Sequence, residues 1–448
     1  MTSAKQWRFG STARTRSLVL LALGVVKVAT AAQLRQLILP GTVDTQTVRN
    51  ACKDLRDARL AESIGKVSGT NSLGRPVSEH LWNLTAVGLK AAATELDRVP
   101  GEMGGTARAA AKVGATHAVK VTDAIDAFLQ TPLQQTRPVV RHMTQNAGRP
   151  VRPLPVRPPG LGTLRGWQTE VALPVTGTFT APGKGSLRAD AVLTAPEDGL
   201  PVLFVEVDNG TEPPARVADK IARYRRFFQR TVKSHSGLVV PLWSTFWQAS
   251  GRDGLPPVAF VFTKQVGRTA MQARIQEVAR LSREHWQGIW HSGYHTPYDE
   301  DGDGYRDYAQ VVPVLATTLD RLRQDGPRGT IWWRFDHGSA QALAEALFNF
   351  DDIHAYIRRE EQRHAARRAA EEEEERRQED KYRQWEASLW SCPSCGGDVD
   401  PEDSPGLIRG DECLHCRTQR EIIATERAQG EAELDQRHGN RLFGWLNG

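Results

Sequence analysis

The sequence predicts a multidomain α/β protein, and three observations lead to this prediction. The chain has 448 residues, too many for one ordinary hydrophobic core. Helical periodicity dominates the first hundred residues, whereas the middle holds short apolar runs separated by turn residues. Four of the five cysteines form two C-x-x-C pairs near the end. We therefore expect a winged helix-turn-helix, an α/β core, a long charged helix and a zinc ribbon, in that order.

The composition is that of a soluble protein with a mild positive charge. The formal net charge is +5 and the isoelectric point is near 9.0, which is compatible with nucleic acid as a partner. No apolar stretch is long enough to span a membrane. Closely spaced cysteine pairs favour a metal over a disulfide framework, so the cytoplasm is the expected compartment.

Residues 12–96 are expected to form the winged helix-turn-helix. Asp44 can cap a third helix that runs to Leu60, and two strands follow with a glycine-rich loop between them. Polar and basic groups on a third helix suit the DNA major groove, although a solvated helix face or a protein-binding surface has the same pattern. The candidate DNA contacts are Thr45, Gln46, Arg49, Asn50 and Lys53 on this helix and Arg75 in the loop.

Two connecting segments precede the α/β core. Residues 97–135 are predicted to form a helical connector. Residues 136–166 combine arginines with many prolines, which block helix, so they are predicted to form an extended linker.

Residues 167–265 carry the α/β pattern. Three apolar runs read as strands, and Pro213-Pro214 opens a basic helix because proline is tolerated in the first helical turn. Two further strands are predicted, over residues 237–243 and 258–263. The expected order after the linker is three strands, a helix and two strands.

Acidic residues interrupt two of these apolar runs. Asp190 lies within one predicted strand, and Glu206 and Asp208 end the next, where residues two apart share a face. Two carboxylates on neighbouring strands can hold Mg²⁺ or Mn²⁺ against a phosphodiester. Lys220 and Tyr224 share one face of the following helix. The alternative is that these acids simply end strands at the surface beside an amphipathic helix; Glu170 is a weaker candidate for an additional acid.

This segment resembles the PD-(D/E)XK, or restriction-endonuclease-like, superfamily. Asp190 matches its first acid and Glu206 its second, whereas Asp208 stands at the usual lysine position; Lys220-x-x-x-Tyr224 fits a variant with the motif on the next helix. The words RADAVL, FVEVDNGTE and KIARYRRFF after a winged helix are similar to the replication-relaxation family of actinobacterial plasmids and integrated elements. The resemblance covers roughly residues 15–265 and implies a catalytic set of Asp190, Glu206, Asp208, Lys220 and Tyr224, with Asp190 and Glu206 as metal ligands.

The C-terminal part is predicted in three segments. Residues 266–390 are expected to be a helical region with a charged arm, residues 391–420 a zinc ribbon and residues 421–448 a polar tail. The spacing C-x2-C-x17-C-x2-C suits a closed tetrahedral Zn²⁺ site with a structural role, and it leaves open whether the ribbon contacts nucleic acid or protein. The expected zinc ligands are Cys392, Cys395, Cys413 and Cys416.

Two functions remain open from the sequence. The first is a metal-dependent DNA nuclease or nickase of a plasmid or integrated element, acting in replication or relaxation. The second is a non-catalytic winged-helix regulator of replication or transcription with a degenerate nuclease fold. DNA is the expected partner in both, with replication or conjugation proteins as further candidates.

Overall fold

The computed structural model describes residues 7–42, 44–70, 76–99, 103, 111–129, 159–292, 303–335 and 337–443. The chain forms two compact units, Met1–Tyr356 and Ile357–Gly448. No helix in these ranges is long and apolar enough to cross a membrane.

The N-terminal elements follow the order expected of a winged helix-turn-helix. Threonine side chains cap several helices: Thr12 accepts from Thr15 N, Thr30 forms a capping box with Gln33, and Thr85 accepts from Gly88 N. The strands pair in the order β1-β3-β2. The elements are α1 (Ala13–Val26), β1 (Ala29–Thr30), α2 (Ala31–Ile38), α3 (Gln46–Asp57), β2 (Ala61–Thr70), β3 (Pro76–Leu84) and α4 (Ala86–Leu96).

Helix α3 is shorter than the sequence predicted. It ends at Asp57 rather than Leu60, and Arg59 adopts a left-handed backbone with φ of 61°. The Asp44 carboxylate accepts a hydrogen bond from Gln46 N at 2.9 Å, so Asp44 does help to begin the helix. Arg75 and the centre of the loop between β2 and β3 lie outside the described residues.

The predicted connector contains one long helix, α5 (Ala111–Leu129), that packs against other elements. Gln33 of α2 donates to the Val119 carbonyl and to Asp123, and Thr122 donates to the Val28 carbonyl. Helix α5 is therefore an integral, packed element of the first unit and not a free connector. Most of the predicted linker, residues 136–158, falls outside the described part of the chain.

A six-stranded mixed sheet forms the centre of the first unit. Its order is β13-β12-β9-β6-β5-β4; β4, β5 and β6 are antiparallel neighbours, β6, β9 and β12 run parallel, and β13 is antiparallel to β12. The elements are β4 (Trp167–Leu173), β5 (Leu187–Ala195), β6 (Leu200–Asp208), α6 (Pro214–Phe228), β7 (Thr231–Lys233), β8 (Val239–Pro241), β9 (Val258–Phe262), α7 (Arg268–Leu281), α8 (Arg283–Trp286), β10 (Ile289–Ser292), β11 (Gly304–Asp307), β12 (Val314–Thr318), α9 (Leu319–Asp325), β13 (Trp333–Arg334) and α10 (Leu343–Leu347).

Two predictions about this sheet hold only in part. Residues 237–243 do contain a strand, β8, but it pairs with β7 in a separate hairpin outside the six-stranded sheet, and Val239 is 66% exposed. Pro241 lacks a backbone donor, which disfavours a central strand. The region 266–390 is not wholly helical, because the buried strand Val314–Thr318 completes the parallel part of the sheet.

The sheet separates two hydrophobic cores. On one face Phe204 and Val192 pack with residues of α6 and α7. On the other, Val205 and Leu193 belong to a continuous core with residues of α1, α5 and α9. The predicted segments 12–96 and 167–265 thus share one core within the first unit.

The second unit is mostly helix. Its elements are α11 (Ile353–Ser388, beginning in the first unit), β14 (Trp390–Ser391), β15 (Asp398–Val399) and α12 (Leu414–Phe443). Beyond its first turns α11 is exposed and carries ion pairs such as Glu373–Arg377, four residues apart. The predicted polar tail is helical as far as Phe443, and this helix begins inside the predicted ribbon.

Candidate functional site

Asp190 and Glu206 lie side by side on neighbouring strands. In the antiparallel β5–β6 pair Ala191 is opposite Val205, and one further step in this register places Asp190 opposite Glu206. Opposite residues of antiparallel strands project from the same face. That face is the one that Val192 and Phe204 present to α6. The structure therefore brings together the two acids that the sequence singled out.

The Asp190 carboxylate is bonded to the backbone of the neighbouring strand β6 and to a histidine of α5. One oxygen accepts a hydrogen bond from Val207 N at 2.7 Å, and the other accepts from His117 Nε2 at 2.9 Å. The regular pairing of β5 with β6 ends at Ala191, so the two strands separate at the level of Asp190. Asp190 is only 8% exposed, so these donors offset part of its desolvation.

Glu206 is the most buried acid of the cluster, at 2% exposure. The Tyr224 hydroxyl donates to Oε1 at 2.7 Å, and Lys220 Nζ donates to Oε2 at 3.2 Å. Burial, followed by the negative charge of Asp190, raises the pKa of Glu206 to about 7, although Lys220 opposes this rise. The Tyr224 hydroxyl thus fixes the orientation of the Glu206 carboxylate.

Lys220 bridges two acids. Its ammonium lies 3.2 Å from Glu206 and 3.1 Å from Glu212. Burial lowers the pKa of Lys220, but the surrounding carboxylates, led by Glu206, raise it above its ordinary value overall. Lys220 is therefore a permanent cation beside the Glu206 carboxylate.

Asp208 is engaged in an ion pair of its own. Arg274 on α7 donates to one Asp208 oxygen at 2.6 and 3.2 Å, and Gly210 N donates to the other at 2.6 Å. The Asp208 side chain is 6% exposed, so these protein groups, rather than water, are the main partners of its carboxylate. The residue at the family's lysine position is thus tied to α7.

Glu170 lies on the other side of Asp190. The β4–β5 register pairs Thr169 with Ala191 and Val171 with Ala189, so Glu170 stands at the level of Asp190. Its φ of 56° is a left-handed conformation that costs energy for a residue with a side chain. Burial and the charge of Asp190 raise the pKa of Glu170, and Arg188 lies 3.8 Å away. Three acids therefore occupy one level of three adjacent strands.

His117 completes the cluster, although no pattern in the sequence indicated a role for it. The Asn209 amide donates to His117 Nδ1 at 3.2 Å, so Nε2 carries the proton that bonds Asp190. Thr263 in turn donates to the Asn209 oxygen at 2.6 Å. The bond to Asp190 raises the pKa of His117. Asn209, Thr263 and Arg274 were also missed, because tertiary contact alone brings them here.

The acid pair suits a hydrated divalent cation more than a closed protein cage. Mg²⁺ commonly takes one or two carboxylates and keeps several waters. Asp190 and Glu206 supply two such groups, and burial together with the negative charge of Asp190 raises the pKa of Glu206. Within the described ranges, groups of three or more His, Cys, Asp or Glu side chains with ligand atoms within 4.8 Å of one another occur only at the four cysteines. The acid pair therefore offers a cation fewer protein ligands than the cysteine group does.

Helix α3 presents part of the candidate DNA face to solvent. Gln46 and Arg49 are exposed, whereas Thr45, Asn50 and Lys53 are partly covered. Local contacts order these side chains: Gln46 donates to Asn50 at 2.8 Å, Arg49 lies 3.7 Å from Glu79, and Lys53 lies 5.1 Å from the centre of the Phe9 ring.

The basic helix α6 is used largely for internal contacts. Arg225 on α6 donates to the carbonyl of Gln310, and Arg230, two residues beyond the end of the helix, donates to the carbonyls of Pro174 and Gly177. Arg223 pairs with Asp219. Several of the arginines predicted to lie on this helix therefore make contacts within the protein that stabilise the fold.

The four C-terminal cysteines converge in the second unit, where their sulfur atoms lie within 4.8 Å of one another. Cys395 and Cys413 are 3.8 Å apart, as expected for two corners of a tetrahedron with Zn–S bonds of about 2.3 Å. Cys413 N donates to Cys392 Sγ, and this bond helps to lower the pKa of Cys392 to about 6. The group could bind a metal such as zinc.

Together these features define an α/β protein with a helical N-terminal module, a buried cluster of acids with lysine and tyrosine, and a four-cysteine metal group. Residues 20–242 match the model of the replication-relaxation family, which supports the resemblance seen in the motifs over about half of the chain. The family suggests a role in plasmid or mobile-element replication. No curated protein and no solved structure matches the chain.

Proposed function

We propose that this chain is a metal-dependent DNA nuclease or nickase of a plasmid or integrated element. The observation that carries the proposal is the placement of Asp190 and Glu206 opposite one another on one sheet face, with Lys220 bonded to Glu206. This is the residue set of the restriction-endonuclease-like pattern, with the lysine supplied by the helix.

Each residue has a distinct part in this proposal. Asp190 and Glu206 would hold Mg²⁺ or Mn²⁺, which would stabilise charge on the phosphate and lower the pKa of a bound water. Lys220 supplies a permanent positive charge beside the acids, suited to a phosphodiester oxygen. Tyr224 fixes the orientation of Glu206, and Asp208 anchors the strand end to α7.

DNA binding is assigned to the N-terminal module. The exposed polar and basic groups of α3 fit the major groove, with Gln46 and Arg49 best placed to reach it. The net charge of +5 favours a polyanionic partner. Arg75 lies outside the described residues and stays a prediction from the sequence.

The C-terminal module is proposed as a structural zinc ribbon that contacts DNA or a partner protein. Four thiolates close the coordination of zinc and leave no open position for chemistry. Replication or conjugation proteins are the candidate protein partners, and the cytoplasm is the compartment in which such thiols stay reduced.

One observation favours a second candidate function, a non-catalytic DNA-binding regulator. Asp208 replaces the usual lysine and is neutralised by Arg274, while both Glu206 oxygens already have protein donors. In this alternative the acid cluster is an internal ion-pair network that stabilises a nuclease-like fold.

A nicking assay separates the two functions. Purified protein is incubated with supercoiled plasmid and Mg²⁺ or Mn²⁺, and we expect nicking that is lost in both Asp190→Ala and Glu206→Ala while DNA binding persists. Asp219→Ala, an exposed acid of the same helix as Lys220, is the control and should retain nicking. Intact binding without cleavage in any metal would select the regulator.

A binding titration tests the DNA face. Arg49→Ala should weaken binding and reduce the salt dependence by about one counterion if Arg49 contacts a phosphate. Arg280→Ala, an exposed arginine on α7, should leave both unchanged. Equal affinity of Arg49→Ala and the unmodified protein would remove α3 from the interface.

A further inference from the structure

A cleft opens at the carboxyl end of the parallel strands. Its volume is about 270 Å³, and it lies between α7 and α9 where β9 and β12 end. Ligands of α/β sheets characteristically bind at the carboxyl ends of strands, where successive connections leave on opposite faces. This is such a place, because α7 packs on the Phe204 face whereas α9 packs on the Val205 face.

The lining combines positive charge with an apolar floor. Three cations face one acid, Asp320, around the rim. Phe262, Met271 and Ile275 are buried and form the floor. Trp333 lines the side, with the Arg321 guanidinium 4.4 Å from its ring centre. The cations are Lys264, Arg268 and Arg321.

This lining matches a nucleotide better than a purely polar anion or a purely apolar molecule. Lysine and arginine meet phosphate oxygens through charge-assisted hydrogen bonds. An aromatic ring with an adjacent guanidinium offers a stacking surface to a nucleobase. The volume is near the lower end of small-molecule pockets, which suits one nucleotide unit rather than a larger ligand.

The cleft adjoins the end of β6, the strand that carries Glu206 and Asp208. A Cβ on Gly210 would lie 2.5 Å from Cδ of Lys264, so Lys264 packs directly on the turn after Asp208. Arg274, the partner of Asp208, lies 5.9 Å from the ring centre of Phe262 in the cleft floor. A polynucleotide at the acid pair would therefore have a neighbouring nucleotide within reach of the cleft.

We propose that this cleft binds a phosphorylated nucleoside, with the phosphate at Lys264 and Arg268 and the base against Trp333 and the floor. The nucleotide can belong to a DNA strand or be a free mononucleotide. As a subsite for DNA, the proposal rests on the proposed function, whereas binding of a free nucleotide does not.

Calorimetric titration of the full chain tests this proposal with three probes: thymidine monophosphate, a five-residue single-stranded oligothymidylate and inorganic phosphate. Lys264→Ala and Arg268→Ala, both at exposed positions, should weaken nucleotide binding about tenfold. Trp333→Leu should weaken the two nucleotides more than phosphate, and Asp320→Asn should tighten all three. Arg280→Ala, further along α7, is the matched control and should change nothing.

The results distinguish a DNA strand from a free nucleotide as the ligand of the cleft. They also separate failure of the cleft proposal from failure of the nuclease proposal. Tighter binding of the oligonucleotide than of the mononucleotide assigns the cleft to DNA, and equal binding assigns it to a free nucleotide. No nucleotide binding, binding unaffected by Lys264→Ala and Arg268→Ala, or phosphate bound as tightly as nucleotide would overturn the proposal. Glu206→Gln should abolish nicking and keep nucleotide binding, so failure of the nuclease proposal remains distinguishable from failure of the cleft.

Discussion

The acid cluster of the sheet and the four-cysteine group answer the same electrostatic problem in opposite ways. Each collects side chains that repel one another when ionised. In the sheet, the protein supplies the compensating groups, because Lys220 and Tyr224 bond Glu206 and Arg274 bonds Asp208. At the cysteines, the donors to sulfur are backbone N–H groups such as those of Cys413 and Cys416. The first site draws its compensation from side chains of the protein, whereas at the second we expect a metal to supply it.

The surrounding cores reinforce this difference. The acids lie over extensive hydrophobic clusters on both faces of a six-stranded sheet. The cysteine module buries a small cluster of Trp390, Cys392, Val399 and Leu407. A core of this size is too small to fold a module by itself, so we expect metal binding at the cysteines to provide much of the folding free energy.

Removal of metal should have the largest effect on stability, and this effect should be confined to the second unit. A chelator, or Cys392→Ser, should unfold the cysteine module, since structural zinc contributes about 10–16 kcal/mol in comparable small modules. Zinc content and Trp390 fluorescence report the loss. Cys52→Ala, a buried cysteine of the first unit, should retain the metal. Retained zinc in Cys392→Ser would contradict the four-ligand site.

Removal of one internal cation should have the next largest effect. Arg274→Ala leaves the buried Asp208 carboxylate without its ionic partner, which should lower the free energy of unfolding by about 3–5 kcal/mol. Urea denaturation measures this change. Arg280→Ala breaks an exposed pair on the same helix and should cost under about 1 kcal/mol. Equal effects of the two substitutions would show that the acid cluster is not internally compensated.

The pH dependence of stability should report the cost of ionising Glu206, which is buried and lies beside Asp190. Glu206 has a pKa of about 7 in the folded protein against an ordinary value of 4.5, so the folded state holds a proton that the unfolded state releases. Stability should therefore fall as pH rises from about 4.5 to 7, by on the order of 3 kcal/mol. Metal-free denaturation curves measure it, and Glu206→Gln should flatten the dependence. The same slope in Glu206→Gln would assign the titration elsewhere.

How far the sequence predicted the sheet depended on the length and continuity of each apolar run. The strand around Val258 was predictable because every residue in it is apolar and buried. The run around Val239 looked similar but became an exposed hairpin, because its fate depended on which segment could lie beside β6. Val314–Thr318 was missed because its parallel partner, β9, lies far away in sequence.

The residues of the candidate site also differ in whether local sequence patterns could predict them. Asp190, Glu206 and Lys220 were predictable because strand period and helix spacing are local properties. His117 was not predictable, because no local pattern indicates that a residue of the connector helix will contact a carboxylate 73 positions away. Arg274 likewise gains its role only by packing of α7 against the end of β6.

The sequence by itself determined the ligand chemistry: two acids at strand spacing, a lysine and tyrosine four apart, and two cysteine pairs whose short loops fix their sulfurs locally. Tertiary structure alone decided which charges are compensated, because compensation requires groups from distant segments to meet within hydrogen-bonding distance. That is why the cysteine group could be inferred as a metal site from spacing, whereas the ionic state of the acid cluster emerged only when α5, α6 and α7 packed around the sheet.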